Sequence, residues 1–339
     1  MHDAQADRVT QQFQDVHCAT FSYLLPFSNM RKVDSPDSFT ERDITLGDGD
    51  RQVAGTLTVP RGAGPHPGVV LLSGGAPFDR DETSGPNKPL RDLAWGLAEQ
   101  GVAVVRFDKV TYNRLELYQR PDFTPTQEYV PHAVAAVRLL RSEETVDPAR
   151  VFVAGHSMGG KFAPRVAATE PAVAGLVLLA ADAEPMQRAA VRVFRYFAEK
   201  GLLGITEDAV AAVERQAAAV ESPNLSPSTP PAELPFGYSG GYWLDLREYD
   251  QVSTAAALDR PMLVLQGERD YQVTVDTDLA LWRKGLAHRD NVTFRVYPAD
   301  DHCFYPGEGP STPADYESPH QVDPAVIADI AHWLRSGEL

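Results

Sequence analysis

Apolar positions along the chain fall into two periods. One set forms short continuous runs rich in Val, Leu and Ile, at 69–73, 102–107, 151–154, 175–181, 261–267 and 292–297. Between several of these runs, apolar residues return every three or four positions. Examples are Leu90, Leu93 and Leu97 in 90–100, Val130, Val134, Val137 and Leu140 in 129–141, and Val326, Ile327, Ile330 and Leu334 in 324–334. A run that is apolar throughout reads as a strand buried on both faces, and the longer period reads as a helix with one face inward. Their alternation predicts an α/β fold with a mostly parallel sheet flanked by helices. Ahead of them, Ile44-Thr45-Leu46 and 52–60 alternate apolar and polar residues on either side of Gly47-Asp48-Gly49-Asp50, which predicts an antiparallel hairpin.

One long stretch breaks the alternation. Residues 183–255 hold no strand pattern, two helical patterns at 186–200 and 206–220, a Pro- and Ser-rich segment at 222–235, and the aromatic run from Tyr238 to Trp243 around Gly240 and Gly241. An insertion of this length above a sheet predicts a helical lid, with the glycines as hinge and Tyr242 and Trp243 closing over a pocket. In residues 1–40, Phe13, Val16, Phe21, Leu24 and Leu25 suggest a short helical segment packed on the core. The expected layout is therefore an N-terminal segment at 1–40, a core at 41–182 and 256–339, and a lid at 183–255.

Composition narrows the function classes. The 339 residues are 43% hydrophobic, and the formal net charge is −16. Acid is spread along the chain with no basic patch, which argues against nucleic acid as a partner. Cys18 and Cys303 are too few for a disulfide scaffold. The lack of a long apolar run predicts no membrane span, and the polar first dozen residues predict a cytoplasmic protein without a signal peptide. No clustered His/Cys ligand set or dinucleotide fingerprint appears, so neither a metal nor another cofactor is expected.

The chemistry centres on Gly155-His156-Ser157-Met158-Gly159, set between the run 151–154 and a helix-like segment from Lys161. This is strand, sharp turn, helix. Glycines two before and two after the serine let strand and helix cross closely, and the hydroxyl stands at a helix N-terminus. A serine nucleophile needs a base, and the base needs an acid to orient it. His302 follows the strand ending at Tyr297, and Asp270 follows the strand ending at 267. Asp182, after the run 175–181, is the rival acid. Glu268 shares the Asp270 loop but comes two residues early. All of these positions lie at C-terminal strand ends, where open α/β sheets place their sites. An oxyanion hole would use the N–H of Met158 and one from Ser73-Gly74-Gly75-Ala76, with Gly75 favoured and Ala76 second. Ala76, Phe78, His156, Tyr242 and Trp243 are the expected pocket residues, and Cys303 reads as a buried small residue.

These residues carry a resemblance. Residues 73–109, 155–167, 173–185, 242–250, 261–273 and 301–316 together resemble the α/β-hydrolase superfamily, and most closely bacterial carboxylesterases akin to dienelactone hydrolases and prolyl-oligopeptidase-type domains. The resemblance covers roughly 44–335. It implies an α/β-hydrolase fold and a cofactor-free, carboxylesterase-type serine hydrolase with its triad on Ser157, Asp270 and His302. The substrate would be a small-molecule ester or acyl compound, with a homodimer left open. Relatives usually carry Gly-Ser-Gly-Pro where this chain has Gly74-Gly75-Ala76-Pro77. They tend to carry Gly-Pro-Ala-Arg-Pro where it has Ala181-Asp182-Ala183-Glu184-Pro185. Such changes leave open a thioesterase, a lactone-forming cyclase or a lyase that eliminates an acyl group. A non-catalytic binding protein on the same fold is the third reading.

Overall fold

Eight strands hydrogen-bond into one sheet in the computed structural model, which describes residues 37–339. The strands are β1 (Phe39–Leu46), β2 (Val53–Pro60), β3 (His66–Leu72), β4 (Ala103–Phe107), β5 (Val146–His156), β6 (Leu176–Leu179), β7 (Met262–Gly267) and β8 (Val292–Tyr297). Their order is β1-β2-β4-β3-β5-β6-β7-β8. β2 is antiparallel to both of its neighbours, and every other pair is parallel. Most of the expected helical segment at 1–40 lies outside the described residues, and its last two positions belong to β1.

The continuous apolar runs are buried on both faces, as their composition requires. In β3, Val69 and Leu71 join Leu90, Leu93 and Leu97 of α1 (Pro89–Glu99) on one face. Val70 and Leu72 join Val134, Val137 and Leu140 of α2 (Pro125–Ser142) on the other. Successive strand residues point to opposite faces, so one run feeds two cores. α2 begins four residues before the periodic pattern does. Pro125 sits in its first turn, where a missing N–H costs nothing, and Thr124 and Gln127 cap each other reciprocally. No helix among the described residues is long and apolar enough to cross a membrane.

The insertion between β6 and β7 divides by packing. Its α4 (Met186–Lys200) and α5 (Glu207–Glu221) bury Val193, Phe194, Phe197, Val210 and Val213 against each other in a cluster of their own, with Tyr271. Its later part, with α6 (Gly240–Glu248) and α7 (Gln251–Ala256), belongs to the main core. The expectation of a flexible aromatic hinge is corrected here. Tyr242 and Trp243 are fully buried on α6. The Tyr242 hydroxyl donates to Glu128 Oε2 at 2.7 Å, and Trp243 Nε1–H donates to the Pro235 carbonyl at 3.3 Å. Gly241 is there for close approach, since a Cβ on it would lie 2.0 Å from the Pro121 carbonyl oxygen.

Trp243→Ala should therefore act as a core truncation. Loss of about 3–5 kcal/mol is expected, lowering the thermal midpoint by about 5 °C or more. Relative rates across a series of p-nitrophenyl esters of rising chain length should hold. A changed chain-length preference with an unchanged midpoint would return Trp243 to the pocket wall.

Candidate active site

The end of β5 turns directly into α3 (Met158–Thr169), and Ser157 is the turn. Its φ of 52° and ψ of −123° lie where side chains other than glycine are rare. The surrounding backbone enforces that conformation. The Ser157 N–H donates to the Leu179 carbonyl at 2.8 Å. A Cβ on Gly155 would lie 2.2 Å from the Gly159 carbonyl oxygen, and one on Gly159 would lie 2.4 Å from that of Leu72. The hydroxyl is buried and makes one long hydrogen bond, 3.4 Å to Asp182 Oδ1.

Asp270 and His302 meet beside it. His302 Nδ1 donates to Asp270 Oδ2 at 2.7 Å, and both side chains are almost fully buried. The other Asp270 oxygen accepts the backbone N–H groups of Gln272, at 2.7 Å, and Val273, at 3.0 Å. Gln266 Nε2 adds a further bond to Oδ2 at 3.1 Å. The carboxylate is thus fixed, and it fixes the His302 tautomer with Nε2 free to accept a proton. Asp301 Oδ1 accepts the N–H groups of Cys303 and Tyr305, folding the loop that carries the imidazole.

The loop after β3 reaches the same place. Gly75 lines a cavity of about 70 Å³ together with Ser157 and Met158. Gly74 holds this loop on both of its polar groups. Its N–H donates to Glu82 Oε1 at 2.7 Å, and its carbonyl accepts from Lys109 Nζ at 2.9 Å and the Tyr129 hydroxyl at 2.6 Å. Burial pulls the Lys109 pKa down, and Glu128 at 3.1 Å opposes the shift. Ala76, Phe78 and His156 are buried around the loop, but the cavity wall is made by other residues. Met186, Ala190, Val193 and Phe194 of α4, with Phe236, supply most of its apolar surface. These are residues of the inserted helices, and the sequence pattern marks them only as an inward face.

His156 ties two parts of the site together. Nδ1–H donates to Glu82 Oε1 at 3.0 Å, and Nε2–H donates to the backbone carbonyl of His302 at 2.9 Å. Both ring nitrogens face acceptors, so the ring carries two protons. Burial alone would lower its pKa. The Glu82 charge and hydrogen bond, with the His302 carbonyl, outweigh burial and raise it to about 9. Glu82, with a φ of 55°, is not singled out in the sequence.

The family model described as serine aminopeptidase, S33, matches residues 88–305. Over 299 residues the chain is 37% identical to Esterase EstD of Thermotoga maritima, a match covering 88% of this chain and 68% of that protein. The chain belongs to the S33 family of α/β-hydrolases. A shorter match, 29% identical over 121 residues, links it to 2,6-dihydropseudooxynicotine hydrolase of Paenarthrobacter nicotinovorans and covers 36% of this chain and 30% of that one. Among solved structures, Est1E of Butyrivibrio proteoclasticus aligns with a TM-score of 0.54 at 16% identity, over 87% of this chain and 98% of that chain. The hyperthermophilic esterase of Pyrobaculum calidifontis aligns with a TM-score of 0.53 at 17% identity, over 98% and 93% respectively. Both share the α/β-hydrolase fold seen here.

The His156–Glu82 pair makes stability depend on pH. An unfolded histidine releases its proton near pH 6.5, whereas the folded state keeps it to about 9. Below 6.5 both states are protonated and the pair contributes in full. Between 6.5 and 9 the folded state holds the extra proton, so stability falls as pH rises through that window. Thermal midpoints measured from pH 6 to 10 should decline in the wild type, and His156→Asn should flatten the decline. An equal slope in both proteins would contradict the charged pair.

Proposed function

We propose that the chain is a carboxylesterase-type serine hydrolase that cleaves small-molecule esters through an acyl-Ser157 intermediate. The observation that carries this reading is the 2.7 Å bond between Asp270, just past β7, and His302, just past β8, in the sheet whose β5 ends in the strained Ser157 turn. The extended match to an esterase favours ester over peptide as substrate.

Ser157 Oγ attacks the ester carbonyl carbon while His302 Nε2 takes the hydroxyl proton. Asp270 keeps Nδ1 protonated and stabilises the imidazolium. To react, the hydroxyl turns from Asp182 towards His302, since catalytic hydrogen bonds often form only once substrate is bound. Negative charge on the carbonyl oxygen falls at the N-terminus of α3. There the N–H groups of Met158 and Gly75 receive it, and neither donates to a protein acceptor among the described residues. Collapse expels the alcohol, protonated by His302. Water, deprotonated by His302, then attacks the acyl carbon and frees Ser157 and a carboxylic acid. α4 and α5, with a hydrophobic cluster separate from the main core, act as the cover over this site.

Ser157→Ala should fold and lose at least about a thousandfold in kcat, because donors and binding surface stay while the nucleophile goes. Asp270→Asn should cost about 10⁴ through the wrong His302 tautomer. Steady-state rates on p-nitrophenyl butyrate, with circular dichroism as a folding control, test both. Near-normal turnover by folded Ser157→Ala would overturn the acyl-enzyme route. A loss below about tenfold in Asp270→Asn would overturn its role as the orienting acid.

A further inference from the structure

Besides Ser157 itself, three polar side chains line the cavity, Asp182, Gln272 and Asp278, and the rest of the wall is apolar or glycine. Among the described residues, no cationic side chain lines it. Asp278 is already committed to the fold. Its Oδ1 accepts the N–H groups of Ala183 and Glu184, each at 2.9 Å, and its Oδ2 accepts that of Thr274 at 2.9 Å. The other two are different. Asp182 makes only the long 3.4 Å contact with the Ser157 hydroxyl through its carboxylate. Gln272 is 8% exposed, and its Oε1 has no hydrogen-bond partner among the described residues.

Gln272 is held where it is by its backbone. Its N–H donates to Asp270 Oδ1 at 2.7 Å, and its carbonyl accepts from Arg192 Nη2 at 2.8 Å. The Gln272 backbone is therefore fixed beside the orienting acid. A buried acceptor without a donor destabilises a fold, and such groups persist where something else satisfies them. Asp182 and Gln272 both line one largely apolar cavity that touches the nucleophile and the α3 N-terminus.

We propose that Asp182 and Gln272 determine specificity by selecting esters whose acyl chain carries a hydrogen-bond donor, amino or hydroxyl, on the first or second carbon from the carbonyl. This rests on Ser157 as the nucleophile. An acyl carbon bonded to Ser157 Oγ puts substituents on those carbons within hydrogen-bond reach of the Asp182 carboxylate. A donor there takes over the oxygen that the Ser157 hydroxyl contacts in the free enzyme. The hydroxyl is then released to His302. Binding of the selected substrate and arming of the nucleophile become one event, whereas an unsubstituted acyl chain leaves both acceptors unsatisfied. A site built to hydrogen-bond a substrate group discriminates strongly against the analogue lacking it.

Charge inside the protein is consistent with this role. Burial raises the Asp182 pKa, and the buried Lys161 opposes that shift without lining the cavity. Lys161 Nζ is directed at the Glu184 carbonyl, 3.5 Å away.

The test compares ethyl butyrate, ethyl 3-hydroxybutyrate and ethyl 3-aminobutyrate by pH-stat titration of the acid released. The quantity read is the ratio of kcat/KM for each substituted ester to that for ethyl butyrate within the same protein, so a general loss of turnover cancels. The wild type should favour at least one substituted ester by about tenfold or more. Asp182→Asn should reduce the amino ester's advantage about tenfold and the hydroxyl ester's less, because charge is lost while an acceptor stays. Gln272→Leu should reduce both advantages, and it supplies the answer if Asp182→Asn does not fold. Wild-type ratios at or below one would overturn the proposal, as would ratios unchanged in the folded variants. A wild-type ratio of one beside an inactive Ser157→Ala removes only this selectivity. An active Ser157→Ala removes the nucleophile itself.

Discussion

The site depends on how closely three pieces of backbone approach one another where β5 ends. The carbonyls of Gly159, Leu72 and Ser73 all lie within 2.6 Å of where side chains on Gly155 or Gly159 would begin. Only glycine allows the crossing, and the crossing drives Ser157 to positive φ. The strain at that residue is offset by the cores on both faces of the sheet, since relaxing it would pull β5 from β3 and β6. Ser157, the α3 N-terminus and the loop after β3 are thereby fixed relative to one another.

Around that crossing, charge is paired by element. Lys109 and Tyr129 hold the Gly74 carbonyl, Glu82 holds its N–H, and His156 links Glu82 to the backbone of His302. The loop after β3 and the loop carrying His302 are thus linked through one buried ion pair. Removing either member leaves an uncompensated charge in the interior, which costs more than the pair itself contributes. Asp270, by contrast, is held by backbone N–H groups and an amide, so its orientation does not rest on that pair.

Much of the fold is legible in the chain because strands and helices carry different periods. β8 at 292–297 and α4 at 186–200 begin and end where their patterns do. α2 starts earlier than its pattern because Pro125 and Pro131 mask a helix that capping and packing sustain. α6 is misread as flexible because Gly240 and Gly241 serve close packing, a property of neighbours far off in sequence. At the site, Ser157, Asp270 and His302 stand out because each follows an apolar run. The cavity wall on α4, Gln272 beside it, and the Glu82–His156 pair across 74 positions carry no local signal. Only tertiary proximity creates them.

The central claim is that this backbone arrangement makes Ser157 a nucleophile, and trapping by a fluorophosphonate tests it most directly. The reagent reacts with a serine only where a base and an oxyanion hole act together. Intact-mass and peptide mass spectrometry should find one adduct per chain, on the peptide containing Ser157, and none after His302→Ala. A folded protein that hydrolyses esters yet carries no adduct, or carries it on another residue, would contradict the account.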